Sequence, residues 1–185
     1  MVGDSEHALI EVLLPWLRLR FQSSKYVREF NLLQTRADLV ILNEAIHGFE
    51  VKSASDNFKR LPKQVKDYDS VLDYNTLVTR PSMIEEGLKR VPAHWGVIEI
   101  SHEGVITQVR EPQHHSRRTS KNLAWMFWLE ELRSFTKLRS MTASLRKLPK
   151  YRACSEISKQ AGVEDIASHL RACLPLRENS RWRDL

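Results

Sequence analysis

The sequence predicts an α/β fold in which a mixed β-sheet is flanked by helices and followed by a basic helical extension. Three observations lead to this class: an amphipathic opening segment, several short runs of strand-forming residues, and helical spacing through the last third. The 185 residues, 42% of them hydrophobic, suffice for one such domain with a small appendage. We place the core at residues 1–112 and the extension at residues 119–185.

The first predicted element is a helix over about residues 4–13. Asp4 or Ser5 can cap its start, and Pro15 is expected to kink or end it because proline removes one helical hydrogen bond. Its apolar side chains recur at spacings of three and four and share one face: Leu9, Ile10, Leu13 and Leu17.

The core continues with strands predicted at residues 26–33, 36–42 and 48–54. A helix follows, with apolar spacing through Leu61, Val65, Tyr68 and Leu72, and Pro62 is tolerable near its first turn. Further strands are predicted at residues 75–80, 95–100 and 104–111, the last two joined by a turn at residues 102–104.

A polar connection, EPQHHSRRTSKN, separates this core from the helical part that begins near Lys121. We interpret His114 and His115 within it as a surface pair. Two later helical pieces meet near Gly162, which is expected to cap the first of them. Together they partly resemble a helix-turn-helix, although Ser168 stands where a buried branched residue is expected.

Positive charge is concentrated in the last third of the chain. The net charge is +6, and residues 1–132 carry 17 Lys/Arg and 18 Asp/Glu, whereas residues 133–185 carry 12 and 5. This asymmetry is expected of a part that contacts nucleic-acid phosphates, or equally of a solvated basic helix surface.

Two cysteines without a metal-binding spacing, and no apolar run long enough to span a membrane, predict a cytoplasmic protein without membrane association. The N-terminal segment has no basic region before its interrupted apolar stretch, so no secretion signal is expected. The sequence also has no glycine-rich phosphate-binding loop, which argues against binding of a nucleoside triphosphate.

An aspartate and a Glu-x-Lys sequence fall within two neighbouring predicted strands, where charge is unusual. Asp38 lies on the strand 36–42, and the alternation of the strand 48–54 sends Glu50 and Lys52 to the same face. If these strands pair through the intervening turn, the two carboxylates can bind Mg²⁺ or Mn²⁺ together with the backbone carbonyl of Val51. Lys52 can orient water or offset developing charge, which suits phosphodiester hydrolysis. The alternative is a cross-strand ion pair on an exposed sheet face.

These residues resemble the signature of the PD-(D/E)XK nuclease superfamily, in the form RADLVIL followed by GFEVKS. Ala37 replaces the usual proline before the aspartate. Gln64 and Tyr68, in KQVKDY, are similar to the Gln-x-x-x-Tyr motif of RecB-like members. The resemblance covers about residues 5–110 and extends to small, mostly uncharacterised bacterial and phage members. It implies a restriction-endonuclease-like core and a metal-dependent nuclease.

The resemblance and the helix phase together extend the site. Members of the superfamily often supply a glutamate from the first helix, and Glu6 fits by phase, although it can also be a first-turn acid that favours the helix dipole. Gln64 can hold a phosphate, and Tyr68 can donate to phosphate, stack on a base or simply pack in the core.

Basic residues near the motif are candidates for nucleic-acid contact. Lys59, Lys63 and Lys66 lie at helical spacing and would form a phosphate-facing edge, or a merely solvated one. Arg36 and Ser53 flank the acids and are weaker candidates.

The function expected from these observations is a Mg²⁺-dependent deoxyribonuclease with Asp38, Glu50 and Lys52 at its catalytic centre, assisted by Gln64 and Tyr68. Two alternatives stay open. One is a nucleic-acid-binding module with the same fold and little cleavage, and the other is a nuclease that cuts only with a protein partner.

Overall fold

The computed structural model describes residues 1–177 and 181–185. The chain divides into two compact units, Met1–Ser116 with Arg181–Leu185, and Arg117–Ser180. The division after Ser116 lies within the predicted polar connection. The last five residues, which the sequence analysis assigned to the helical extension, belong to the first unit.

The first unit is built on a seven-stranded mixed sheet in the order β6-β5-β4-β3-β2-β1-β7. Neighbouring strands pair antiparallel except for β3 with β4 and β4 with β5, which are parallel. The α/β class is therefore confirmed, with helices flanking the sheet. The strands are β1 (Lys25–Leu32), β2 (Thr35–Leu42), β3 (Ile46–Lys52), β4 (Tyr74–Thr79), β5 (Gly96–Ile100), β6 (Ile106–Arg110) and β7 (Arg183–Asp184).

Three helices accompany this sheet: α1 (Glu6–Arg20), α2 (Leu61–Asp69) and α3 (Ile84–Arg90). The apolar face of α1 packs on side chains that alternate along β2 and β3, so these residues and α1 form one hydrophobic core. The buried members of this core include Leu9, Leu13, Leu17, Leu39, Ile41, Phe49 and Val51. Residues 38, 40, 48 and 50 consequently face the other side of the sheet.

Helix α1 is longer than predicted, because it continues through Pro15 to Arg20. The proline costs one backbone hydrogen bond, but Leu14 and Leu17 are buried on either side of it and offset that loss. Ser5 caps the helix by accepting a hydrogen bond from the Ala8 amide at 3.1 Å.

Helix α2 approaches β3 closely where Gly48 faces it. A Cβ atom at Gly48 would lie 2.3 Å from Leu72 Cδ1 and 3.1 Å from the Tyr68 ring, so the absence of a side chain lets α2 and the turn after it lie against the strand. The close approach brings the side chains of α2 within reach of those on β3.

Helix α3 and strand β7 were not predicted. Helix α3 buries only Gly87 among its seven residues, so it carries no apolar stripe that could identify it. Strand β7 has two residues and pairs with β1 at the sheet edge, where Lys25 and Asp184 form an ion pair at 2.7 Å. The predicted turn between β5 and β6 is present, and Gly104 adopts a φ of 88°, which suits glycine.

The second unit is helical. Its helices are α4 (Ser120–Trp125), α5 (Leu129–Leu138), α6 (Lys150–Gln160) and α7 (Val163–Cys173). Phe127 and Phe135 lie at its centre with ring centroids 5.6 Å apart, and both rings contact His169. Arg177 forms an ion pair with Glu131 at 2.7 Å.

The junction between α6 and α7 differs from the prediction. Helix α6 ends at Gln160 with Ala161 as its C-cap, whereas Gly162 is the N-cap of α7 and has a φ of −69°. The expectation that Gly162 caps the end of α6 is therefore wrong. The order of helix, two-residue turn and helix agrees with the partial likeness to a helix-turn-helix.

Among the residues that the structure describes, no helix is both long enough and apolar enough to cross a membrane.

Candidate metal and catalytic centre

The centre begins where β2 and β3 separate. Their backbone pairing runs from Leu42↔Ile46 to Leu39↔Phe49, and one further step of this register sets Asp38 opposite Glu50. Instead of a ladder hydrogen bond, the Asp38 carboxylate accepts one from the Val51 amide at 2.7 Å. The two acids therefore share one face at the end of the paired region, as the motif predicts.

Glu50 is fully buried, and it accepts hydrogen bonds from three side chains. Gln64 Nε2 donates to its Oε1 atom at 2.6 Å, Tyr68 Oη donates to its Oε2 atom at 2.7 Å, and Lys52 Nζ contacts Oε1. A carboxylate offers about four acceptor positions. The described contacts fill three of them, so one position on Oε2 is left for a cation.

Lys52 is buried among acids. Only 3% of its side chain is exposed, and its ammonium lies 4.0 Å from Glu6 Oε1 as well as beside Glu50. Burial alone would lower the pKa of Lys52, but the neighbouring carboxylates, Glu50 foremost, outweigh burial and raise it. The lysine is therefore a permanent cation within the centre.

The carboxyl groups of the centre nevertheless outnumber its ammonium group. Glu6, Asp38 and Glu50 are three carboxyl groups around a single ammonium. Burial, followed by repulsion from Glu50, raises the pKa of Asp38 to about 8, and burial also raises the pKa of Glu6. Without a further cation Asp38 keeps its proton near neutral pH, which is the behaviour expected of a carboxylate set that fits a divalent cation.

The structure gives Gln64 and Tyr68 a more specific position than the motif did. Tyr68 has no exposed surface, so it cannot stack on a base, and burial raises its pKa well above 10. It is thus a constant donor to Glu50. The Gln64 amide oxygen is buried and finds no hydrogen-bond partner among the described residues, so this acceptor is available to a ligand.

A cleft of about 880 Å³ leads to these groups from the surface. Glu6, Asp38 and Gln64 are among the residues that line it. Of the residues predicted to contact nucleic acid, Arg36, Lys59 and Lys63 line it, whereas Lys66 is exposed and lies outside this lining. The remaining lining residues are Asn31, Leu32, Leu33, Gln34, Thr35 and Arg60.

Ser53 occupies a different setting from the one predicted. Its side chain and its amide both donate to Asp56 Oδ2 at 2.7 Å, which closes the turn after β3. The side chain is buried in this turn and is not among the residues that line the cleft.

Sequence reasoning missed Arg60. This residue lines the cleft between Lys59 and Lys63, at the N-cap of α2. The helical spacing of the lysines drew attention to one face of α2, but Arg60 precedes the helix and does not follow its period. Residues 59–66 are rich in Lys and Arg, and this local enrichment could have indicated Arg60 as well.

The chain is 42% identical over 64 residues to Protein cII of Enterobacteria phage P4, a match that covers 35% of this chain and 24% of that protein. The chain thus matches about a quarter of this curated relative.

Two solved structures are similar at low TM-score. The SPO1766 protein of unknown function from Silicibacter pomeroyi has a TM-score of 0.44 and 24% identity, covering 65% of this chain and 83% of that one. SfsA of Pyrococcus furiosus, determined in complex with Ca²⁺, has a TM-score of 0.34 and 14% identity, covering 60% of this chain and 63% of that one.

The family model described as bacteriophage P4 protein cII matches residues 5–183, which is nearly the whole chain and includes both units. The chain therefore belongs to the bacteriophage P4 protein cII family.

Proposed function

We propose that the protein is a metal-dependent nuclease that hydrolyses phosphodiester bonds in DNA. The observation that carries this proposal is the arrangement of Asp38, Glu50 and Lys52 on one face of two neighbouring strands, with Asp38 lining a cleft that is also lined by basic residues. This arrangement also supports the finer assignment of the sheet as a restriction-endonuclease-like core of the PD-(D/E)XK type.

In this proposal Asp38 and Glu50 hold Mg²⁺ or Mn²⁺, with Glu6 and the carbonyl of Val51 as further oxygen ligands. Such a set of hard oxygen atoms with room for water and phosphate is what Mg²⁺ prefers. When bound, the ion supplies Lewis-acid polarisation of the phosphate and a more acidic water. Gln64 and Tyr68 position Glu50, because both donate directly to its carboxylate.

Lys52 contributes positive charge where the reaction develops negative charge. Its ammonium is held beside Glu50, so it needs no reorganisation when a phosphate oxygen becomes more anionic. The walls of the cleft supply the ground-state attraction for the strand. Arg36, Lys59, Arg60 and Lys63 place cationic side chains along the route of a phosphate backbone.

The charge and the exposed aromatic rings of the second unit are a separate argument for nucleic-acid binding. Residues 117–177 carry 13 Lys/Arg and 5 Asp/Glu. Trp125 and Tyr151 are about half exposed, with fractions of 41% and 55%, and Lys150 lies 5.0 Å from the Trp125 ring centroid. Trp125 and Tyr151 line one cleft of about 680 Å³ together with Lys121 and Arg152. Exposed rings with adjacent cations are the composition of surfaces that stack bases and neutralise phosphates.

The proposal predicts cleavage of at least one form of DNA by the purified protein. Single-stranded, nicked and duplex DNA are incubated with Mg²⁺ or Mn²⁺, beside an EDTA control. Lys52→Ala is expected to lower the rate by about 10²–10³-fold, the usual effect of losing one preorganised charge-stabilising group. Lys66→Ala is the matched control, because Lys66 is exposed and outside the cleft lining, and it should retain the rate.

The same assay separates the proposal from its alternatives. Cleavage that survives in Lys52→Ala contradicts the assigned centre. DNA that is bound equally by both proteins and cut by neither supports a binding module instead. Cleavage that appears only after a host or phage extract is added, and is still lost in Lys52→Ala, indicates a nuclease that needs a protein partner.

Metal affinity should rise with pH. Because the pKa of Asp38 is about 8, the folded protein holds this proton below that pH, and a cation must displace it. We expect the Mn²⁺ association constant to increase by about tenfold per pH unit from about pH 6 to about pH 8, then to level off. Calorimetry at three pH values measures this slope. In Asp38→Asn the slope should flatten, and an equal slope in both proteins would contradict the assignment.

A further inference from the structure

A second group of metal-ligating side chains lies away from the candidate nuclease centre, on residues that the sequence analysis did not connect. Asp69 ends α2, His94 precedes β5, and His115 follows β6. One ligand atom from each of the three lies within 4.8 Å of the other two. The His94 Nε2 atom is 2.9 Å from Asp69 Oδ1, and the His115 Nε2 atom is 3.8 Å from the same oxygen.

The three side chains are largely buried. The exposed fraction is 6% for Asp69, 5% for His115 and 13% for His94, so the group is shielded and opens slightly beside His94. The two imidazole centroids are 4.4 Å apart. The expectation that His115 belongs to a surface pair is therefore wrong, whereas His114 is 52% exposed.

The surrounding hydrogen bonds prepare the group for a cation. Trp95 Nε1 donates to Asp69 Oδ1 at 2.8 Å, and Asn75 Nδ2 donates to it at 2.9 Å. Outer contacts of this kind hold a ligating carboxylate in one orientation. The ring nitrogens make separate contacts, His94 Nε2 with Asp69 Oδ1 at 2.9 Å and His115 Nε2 with Asn75 Nδ2 at 3.3 Å, and a bound metal ion would replace these two contacts.

Asn75 also indicates the state of His115. Its amide nitrogen faces Asp69, which fixes the amide orientation, and the same nitrogen lies 3.3 Å from His115 Nε2. Because that amide nitrogen can only donate, this contact requires the unprotonated form of His115 Nε2, which is the form that can bind a metal ion. The Asn75 amide oxygen is fully buried and has no hydrogen-bond partner among the described residues. This oxygen can therefore accept a hydrogen bond from a ligand such as bound water.

We propose that Asp69, His94 and His115 form a binding site for a divalent transition-metal ion of the zinc type. Two imidazoles and one carboxylate favour zinc over magnesium or calcium, which prefer oxygen ligands. The ion joins the end of α2 to the segments before β5 and after β6. Asp69 directly follows Tyr68 in the chain, so the site also fixes the part of α2 that positions Glu50.

The test uses untagged full-length protein stripped of metal with a chelator and titrated with Zn²⁺ by calorimetry. Asp38→Asn removes the first centre, so that binding to the second is measured alone. One Zn²⁺ per chain is expected in Asp38→Asn. Adding His94→Gln or His115→Gln should weaken this binding by about 100-fold or more, although glutamine keeps a hydrogen-bonding side chain. Adding His114→Gln, the exposed neighbour, should leave it unchanged.

Either of two results would overturn the proposal: Asp38→Asn binds no Zn²⁺, or it binds Zn²⁺ equally well with His115→Gln. Titration of Asp38→Asn with Co²⁺ gives an answer even where a histidine variant fails to fold. Intense visible absorption of a four- or five-coordinate ion is expected, whereas the weak spectrum of hydrated Co²⁺ contradicts the site. Neither readout depends on nuclease activity, so the two proposals fail independently.

Discussion

Glu50→Gln is expected to lower Mg²⁺-dependent cleavage by about 10³-fold or more, because this change removes a metal ligand and the charge that pairs with Lys52. Glutamine has nearly the same shape and keeps one acceptor oxygen, but its amide nitrogen cannot accept a hydrogen bond, so one of the contacts with Gln64 and Tyr68 must change. The variant should also bind Mn²⁺ far more weakly. Single-turnover cleavage and Mn²⁺ calorimetry measure the two losses.

A second consequence follows for Asp38. Repulsion from Glu50 contributes to its raised pKa, so the Asp38 pKa should fall in Glu50→Gln, and it should do so in the absence of metal. Carbon-13 NMR of the aspartate carboxyls measures this change. Glu44→Gln, on the exposed turn between β2 and β3, is the matched control and should keep both activity and the Asp38 pKa. Cleavage by Glu50→Gln at the wild-type rate would contradict the assignment of Glu50 as a metal ligand.

Arg80→Ala is expected to destabilise the first unit by about 3–5 kcal/mol, the range found when one partner of a buried charged contact is removed. Arg80 has no exposed surface, and its guanidinium donates to Asp4 and to four backbone carbonyls. The carbonyls belong to Val2, Gly3, Ile100 and Ser101. Truncation leaves these oxygens without their donor and frees the segment that leads into α1, which carries Glu6.

Urea denaturation followed by circular dichroism measures the change in the free energy of unfolding. Arg80→Lys keeps the charge but offers three donors in place of five, so its loss should be intermediate. Arg90→Ala is the control, because Arg90 pairs with Glu86 on the exposed face of α3 and should cost less than about 1 kcal/mol. Equal stabilities for Arg80→Ala and Arg90→Ala would show that the buried guanidinium is not a structural anchor.

Much of the candidate centre could be predicted because its signals are local. Alternation along β3 places Glu50 and Lys52 on one face, and the short turn before β3 sets the register that brings Asp38 opposite Glu50. Helical spacing places Gln64 and Tyr68 on one face of α2. Which acceptor these two would meet depends on how α2 lies against β3, and that depends on the space at Gly48.

The features that escaped prediction have no local pattern. Helix α3 buries one glycine, and β7 is held by backbone pairing at a sheet edge, so neither leaves a hydrophobic period in the sequence. Asp69 and His94 are 25 residues apart, and only the sheet topology brings them together with His115. Such groups become visible only when the tertiary structure is known.

The measurement that tests the central claim most directly is the Mg²⁺ dependence of the DNA cleavage rate in the wild-type protein and in Asp38→Asn. Asp38 lines the cleft and its carboxylate faces Glu50, so this change should weaken metal binding without altering the basic walls. We expect saturable cleavage in the wild-type protein, and in Asp38→Asn a requirement for about 100-fold more Mg²⁺ or no cleavage at all. The same Mg²⁺ dependence in both proteins would contradict the assignment of Asp38 and Glu50 as the metal centre of a nuclease.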